Sequence, residues 1–525
     1  MSAERLVEHF DHIADAPDAI PRLRRFILDL AVRGKLVQQD PNDDPARELL
    51  KRIGVEKARL VKAGEIRKPK PLPPIDELPY QLPLSWCWTR IREITSDRGQ
   101  RVPDDAFTYI DVTAIDNNRG VIAGPKVVQA NEAPSRARKV VRKGDVVYSC
   151  VRPYLLNVAI IEDDCDPEPI ASTAFAILNG HDLVVSQYLW IVLRSPFMVA
   201  CVEADMRGQA YPAINDADFA VLPFPLPPLA EQRRIVAKVN ELMALCDRLE
   251  AARAEREATR DRLAASSLAR LNAPDPETFQ DDARFVLNAL PAVSTRPDQI
   301  KQLRQTILNL AVRGKLVPQG ERTLIKEVEL ESLVKIVRGS SPRPKGDPRY
   351  YGGPVPRLLI ADITRDGKYV TPQIDNLTIE GAKLSRPMGK GGLVIAISGS
   401  YGVPAFLAVD ACIHDGFIGF RDVSRLVDPE YLYLVMQFRK PYFDDVVKDS
   451  GLKNLTTEHL KRLMVPLYAV DVQQRIVAKV DELMALCDQL EVSLTDTAAT
   501  RRRLLDALLA EALAPGEARE MEAVA

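Results

Sequence analysis

Long hydrophobic runs are missing from this 525-residue chain; no window approaches the ~20 consecutive apolar residues of a membrane span. Residues 1–20 carry acids and no apolar core, so no secretory signal is expected. The seven cysteines, Cys87, Cys150, Cys165, Cys201, Cys246, Cys412 and Cys487, never form a close pair. That argues against a disulfide framework and fits reduced thiols in the cytoplasm. The five histidines, His9, His12, His181, His414 and His459, have no metal-ligand spacing with the cysteines, so no metal is expected. Neither sign of charge is in excess: the net charge is −2, which permits a local nucleic-acid patch without calling for one. A phosphate loop is absent too, since Gly34–Lys35 and Gly314–Lys315 are each followed by Leu where Ser or Thr is needed. SGSYG (398–402) puts Ser398 at the first glycine position of a nucleophile elbow. A hydrolase using Ser398 or Ser400 is therefore the least favoured reading. What the chain does have, 46% hydrophobic and 27% charged residues, suits about three to four globular units.

Against these absences stands a double repetition. PDAIPRLRRFILDLAVRGKLVQQD (17–40) returns as PDQIKQLRQTILNLAVRGKLVPQG (297–320), and QRRIVAKVNELMALCDRLE (232–250) returns as QQRIVAKVDELMALCDQLE (473–491). Ile235, Val239, Leu242, Cys246 and Leu249 recur at spacings of four and three, as do Ile476, Val480, Leu483, Cys487 and Leu490, a heptad-like helical stripe. The first such helix can run to about Leu271, and the polar residues around it predict a solvated rod rather than a buried core helix. The other repeat predicts shorter helices stopped by Gly34 and Gly314.

The expected division is a helical segment over 1–40, a leader over 41–79, and a first inserted domain over 80–228. A central helical region over 229–320, a second inserted domain over 321–466 and a C-terminal helical region over 467–525 follow. The leader, with an amphipathic helix over 46–63 and the stiff run RKPKPLPPIDELP, has no equivalent in the second half. The two repeats are offset by 280 and 241 residues, a difference of 39 that matches its length. The fold class expected is two α/β (α+β) domains separated and bridged by long antiparallel coiled-coil-like helices in a pseudo-two-fold arrangement.

The inserts barely resemble each other in sequence, yet share an order of strand-like and helix-like runs. Strands are expected over 139–151, 155–162, 391–398 and 404–413, and helices over 186–202 and 429–447. Residues 80–228 hold 14 basic and 18 acidic residues, a net of −4; residues 321–466 hold 21 and 18, a net of +3. No catalytic motif emerges. Polar loops do, and they carry the side chains that read base edges or hold phosphates. In the first insert these are Arg152, Tyr154 and Asn157, then Arg207, Gln209, Tyr211 and Asn215. In the second they are Arg338, Ser340, Arg343 and Lys345, then Ser398, Ser400 and Tyr401, then Lys453 and Asn454.

These residues resemble the specificity subunit of type I restriction-modification systems over nearly the whole chain. LPLSWCWTRIREI (82–94) is similar to the opening of that family's first target-recognition domain, and GSSPRPKGDPRYYGGPVPRLLIADI to that of the second. LPPLAEQRRIVAKV is similar to the family's junction into a spacer helix; the second junction, LYAVDVQQRIV, lacks the PLxEQ form. The resemblance implies a non-catalytic DNA-binding subunit whose two domains each read half of a bipartite, asymmetric double-stranded site. It also implies two methylation subunits docked on the helical frame, around Arg33, Lys35, Ile235, Val239, Leu242 and Leu249 and their counterparts Arg313, Lys315, Ile476, Val480, Leu483 and Leu490. S-adenosylmethionine would sit on those partners, and ATP and Mg on restriction subunits, leaving this chain without a cofactor. The residues leave open whether restriction subunits join or the complex serves methylation alone. The alternative is a coiled-coil adaptor with two protein-binding domains and no DNA.

Overall fold

The computed structural model describes residues 15–69, 71–73, 75, 77–208, 212–272, 278–317, 326–449 and 455–513. They fall into two compact units, one drawn from Met1–Glu255 and Ala498–Ala525, the other from Arg256–Thr497. We number the helices of the frame in chain order: α1 (Ala19–Val32), α2 in the leader (Ala46–Lys62), α3 (Leu229–Asn272), α4 (Phe279–Val293), α5 (Pro297–Val312) and α6 (Val470–Leu513). Helices α3 and α6 each begin in one unit and end in the other. The architecture is two α/β domains bridged by long helices.

Both short frame helices stop by the same device. The amides of Gly34 and Lys35 donate to the carbonyls of Ala31 and Leu30, and those of Gly314 and Lys315 to Ala311 and Leu310. This pair of bonds needs the left-handed backbone that glycine adopts at φ +68 and φ +65.

Each insert is closed by its own ends. Cys87–Arg90 pairs antiparallel with Pro223–Leu226 in the first unit, and Lys326–Glu329 with Met464–Leu467 in the second. The long helix follows directly in both cases. Inside, the two inserts share a topology. One four-stranded sheet runs Lys126–Val128, Phe107–Ile110, Pro169–Ser172, Ala137–Val140; the other runs Asp375–Leu377, Tyr351–Leu358, Ala411–Ile413, Arg386–Met388, each with a parallel central pair. Phe175–Leu178, Val146–Ser149 and Val158–Ile160 form the second sheet of the first unit. Its counterpart is Phe417–Arg421, Leu393–Ala396 and Pro404–Leu407, flanked by Lys335–Arg338 and Tyr369–Val370.

The expected elements are present but finer than the sequence runs. The 139–151 run is two strands in different sheets, turned at Gly144, whose φ is +86. The 404–413 run likewise divides between sheets. The 186–202 helix breaks at Ser195, whose hydroxyl caps a second helix opened by Pro196, and the 429–447 helix breaks at Arg439.

The heptad stripe packs within its own unit, while Arg248, Glu255 and Arg256 on the polar face of α3 are exposed. Ile235, Val239 and Cys246 are buried in one core with Ile27, Leu28 and Ala31 of α1, Leu49 and Ile53 of α2, and Tyr188 and Phe224 of the insert. Ile476, Val480 and Cys487 repeat this in the second unit against Ile300, Ile307 and Ala311. Apolar area removed from water stabilises each contact by roughly 25 cal/mol per Å², so helix and insert fold as one body. Each frame pairs its charges in the same way: Arg24 reaches Asp247 (2.6 Å) and Glu250 (2.8 Å), and Arg304 reaches Asp488 (2.6 Å) and Glu491 (3.1 Å).

The far end of each long helix packs in the other unit. Leu505 and Leu508 of α6 meet Ala16 and Ala19, while Leu271 of α3 meets Val286 and Leu310. Among the described residues, no helix is long and apolar enough to cross a membrane.

Candidate nucleic-acid interface

The candidate loops lie where the second sheet of each unit gives way to irregular chain, and the two units build this place alike. In the first, the Ile214 amide donates to the Cys150 carbonyl at 3.0 Å, and the Arg152 amide to Pro212 at 2.9 Å. The loops around Arg152 and Arg207 are thereby stitched together. In the second, the Leu455 amide donates to the Ile397 carbonyl at 3.0 Å, so the chain re-enters beside Ser398. A short helix follows in each, Asp216–Ala220 capped by the Asn215 side chain and Thr457–Lys461 capped by the Thr456 hydroxyl.

In the first unit the backbone takes left-handed values at Arg152 (φ 48) and Leu156 (φ 56), which lifts Tyr154 and Leu155 into solvent. Such values are uncommon for residues with a Cβ. Arg194 secures the turn from below, its guanidinium donating to the carbonyls of Leu156, Asn117 and Asn118. Arg207 is 81% exposed and reaches Asp218 at 3.3 Å. Asn157 is buried, and Asn215 is committed to its cap, accepting from the Ala217 and Asp218 amides. Gln209 and Tyr211 lie outside the described residues.

Beneath this loop, buried Lys139 bridges Asp97 (2.7 Å) and Asp216 (3.0 Å). Burial works against its ammonium, yet the two carboxylates outweigh that and raise its pKa.

The second unit gathers Arg338, Ser398, His414, Asp415 and Gly416 around a cleft of about 210 Å³. Asp415 organises it: it accepts from the Ser341 hydroxyl at 2.6 Å and lies 3.4 Å from Arg343. Arg357, buried and paired with Asp375, donates to the same Ser341 at 2.8 Å. The Ser341 hydrogen bond lowers the Asp415 pKa, and burial lowers that of His414. Gly339 has no room for a Cβ, which would meet the His414 carbonyl. Ser340 ties to the Leu384 carbonyl, Lys345 and Ser400 are exposed, and Tyr401 stacks under the Lys440 ammonium at 4.5 Å. Lys453 and Asn454 lie outside the described residues.

Ser398 and His414 share the cleft, but His414 Nδ1 accepts the Gly416 amide, and among the described residues no hydrogen bond joins Ser398 to His414. That is no nucleophile–base pair. No group of three or more His, Cys, Asp and Glu that could hold a metal occurs among the described residues. Sequence reasoning missed Ser341, Arg357, His414 and Asp415. Ser341 lies in the loop after Lys335–Arg338, Arg357 in the strand Tyr351–Leu358, and His414 and Asp415 in the turn after Ala411–Ile413, and nothing in their local sequence marks their meeting.

On the frame, Ile235, Val239, Ile476 and Val480 face the interior of their own units, while Leu242, Leu249, Leu483 and Leu490 are partly covered. Arg33 stacks over Tyr80 at 4.7 Å, Lys35 reaches the Leu513 carbonyl, Lys315 lies over Phe279 at 5.6 Å, and Arg313 is exposed. Several exposed positions of α3 and α6 match, Ala237, Glu241, Ala244 and Leu245 on one and Ala478, Glu482, Ala485 and Leu486 on the other, while Arg233, Asn240 and Arg248 are replaced by Gln474, Asp481 and Gln489 at the equivalent places.

A family model for the type I restriction modification DNA specificity domain matches residues 324–497. The specificity subunits of the type I restriction enzymes EcoAI and EcoEI of Escherichia coli are each 28% identical to the chain. The first match covers 93% of both proteins and the second 94% of both. A solved chain from a study of complex assembly and conformational transition in the type I R-M system superposes with a TM-score of 0.54 at 27% identity. It covers 83% of this chain and 99% of that one. With a twice-used fold set on a twice-used frame, the chain is similar over nearly its whole length to the specificity subunits of type I restriction enzymes.

Proposed function

We propose that the two inserted domains, 80–228 and 321–466, each read one half of a bipartite, asymmetric DNA site, and that the repeated frame docks two methylation subunits in the cytoplasm. Restriction subunits that translocate and cut would join the same assembly. The observation that carries this reading is the contrast between frame and loops. The repeated parts of helices α3 and α6 expose largely the same residues, Glu241 and Leu245 on one and Glu482 and Leu486 on the other. The loops at equivalent strand ends, Arg152–Asn157 and Ser398–Tyr401, share neither sequence nor charge. Similar surfaces suit two copies of one partner, and different loops suit two different half-sites.

The bases would be met by Arg152, Tyr154 and Arg207 in the first domain, with Gln209 and Tyr211 from the same loop. In the second they would be met by Arg338, Arg343, Ser398, Ser400 and Tyr401, with Lys345, Lys453 and Asn454 on phosphates. Arginine and small polar groups are the usual readers of base edges and backbone. Because each insert begins and ends in one antiparallel strand pair, exchanging it leaves the frame's connections in place. Replacing residues 80–228 by the same domain of another specificity subunit, then mapping methylated positions, should change one half-site only. Change in both halves, or in neither, would overturn the reading.

A further inference from the structure

The first unit carries a groove that the recognition loops do not use. It has a volume of about 820 Å³ and lies between the end of the leader, residues 64–69, and residues 92–100 of the insert. Lys57 of α2 fixes the leader here: its buried ammonium donates to the Arg92, Glu93 and Thr95 carbonyls. These are acceptors at the end of the short helix Ile91–Ile94, where a cation is favoured.

Charge in the groove is unbalanced. Arg67, Lys68 and Arg92 line it with no side-chain hydrogen bond or ion pair among the described residues, whereas of its two acids Asp97 is held by Lys139 and Glu65 lies 3.9 Å from Arg59. Arg98 is pinned at its edge by buried Asp145 (2.6 Å). The floor reaches Ala217, in the helix that Asn215 caps at the end of the Arg207 loop. The groove is thus continuous with the candidate reading surface of the same unit. The second half offers nothing equivalent in sequence, since only residues 318–325 separate Val317 from Lys326.

We propose that this leader groove binds the sugar-phosphate backbone of DNA beside the half-site read by the first domain, giving the two halves unequal footprints. The inference rests on the DNA-reading role proposed above. Unpaired cations on a reading surface are what a phosphate contact needs, and such contacts add affinity without adding sequence information.

The test uses the full chain assembled with its methylation subunits, titrated across salt with a duplex bearing the mapped site and with a random duplex of equal length. Arg67→Ala with Lys68→Ala removes two exposed side chains that make no hydrogen bond or ion pair among the described residues. The variant should bind both duplexes about tenfold or more weakly at ~0.1 M salt, with the log–log salt slope reduced by about 2. The methylated positions should be unchanged. Lys51→Ala with Arg52→Ala, at two exposed positions of α2 outside the groove, should keep the wild-type slope. Wild-type affinity and slope in the groove variant, on a complex that binds its site, would overturn the groove alone. So would an equal loss in the control pair, which would make the effect one of bulk charge. Failure of the groove variant to assemble, with wild-type slope in the fraction that does, would assign the groove to a protein partner. A wild-type complex with no salt-dependent DNA binding would overturn both this proposal and the reading it rests on.

Discussion

Two glutamines explain why the same few residues recur in both halves. Gln232 and Gln473 are fully buried at the start of the long helices. The Gln473 carboxamide accepts the Asp428 amide at 2.8 Å and donates to the carbonyls of Leu426 (2.9 Å) and Tyr468 (2.8 Å). Gln232 accepts the Val185 amide at 2.9 Å and donates to Pro227 at 3.1 Å. Each welds the start of a frame helix to the chain leaving the insert, and a buried backbone group left without its partner costs far more than the hydrogen bond contributes net. Gln473→Leu should lower unfolding stability by about 2–4 kcal/mol and Gln232→Leu by about 1–3 kcal/mol, measured by denaturant titration. A loss under half a kcal/mol in both would show these bonds to be replaceable by water. The repeat marked these positions in the sequence, but their role was not legible, because the groups they satisfy lie about 45 residues earlier in the chain. The same limit hid Asp415 and Arg357, which meet through Ser341 from three different strands and loops.

Among the elements, the frame helices were the most legible, since a glycine stop and a 3.6-residue period are both local signals. Strand runs were less so. Residues 139–151 and 404–413 read as continuous because both strands of each are apolar, and only the tertiary fold divides them between two sheets. The helix stops also carry packing. A Cβ on Gly314 would come within 2.8 Å of the Tyr468 ring, and one on Gly34 would strike Pro83. Gly314→Ala and Gly34→Ala should therefore each destabilise by about 2 kcal/mol or more, combining left-handed strain with a clash. Calorimetry of the two variants checks this, and a change below 0.5 kcal/mol in either would mean that the neighbouring ring moves aside freely. The heptad stripe carries the opposite lesson. Its period was plain, but its partner was not, because a stripe that packs on a frame helix and an insert looks the same in sequence as one that packs on another rod.

At the scale of the whole molecule, the two long helices are the only described elements that pass from one unit to the other. A heptad inserted after Glu255 in α3 together with one after Thr497 in α6 adds about 10 Å of helix while leaving each unit's packing intact. Mapped methylation sites should then move apart by up to about 3 base pairs at 3.4 Å each; unchanged spacing would remove helix length from the mechanism. Sharing the helices has a further effect, on the order in which the protein can be made. The second unit is a continuous stretch, Arg256–Thr497, whereas the first needs Ala498 onward to cover Ala16 and Ala19. Lys35 finds the Leu513 carbonyl 478 residues later, roughly 25 to 95 seconds at a ribosome's pace of about 5–20 residues per second. The half of the molecule translated first is thus the half whose last small cluster, Ala16 and Ala19 against Leu505 and Leu508, forms at the end of synthesis. Until then Ala16 and Ala19 lack their cover through the synthesis of the second unit, while Ile27, Leu28 and Ala31 can already pack against α2, α3 and the insert.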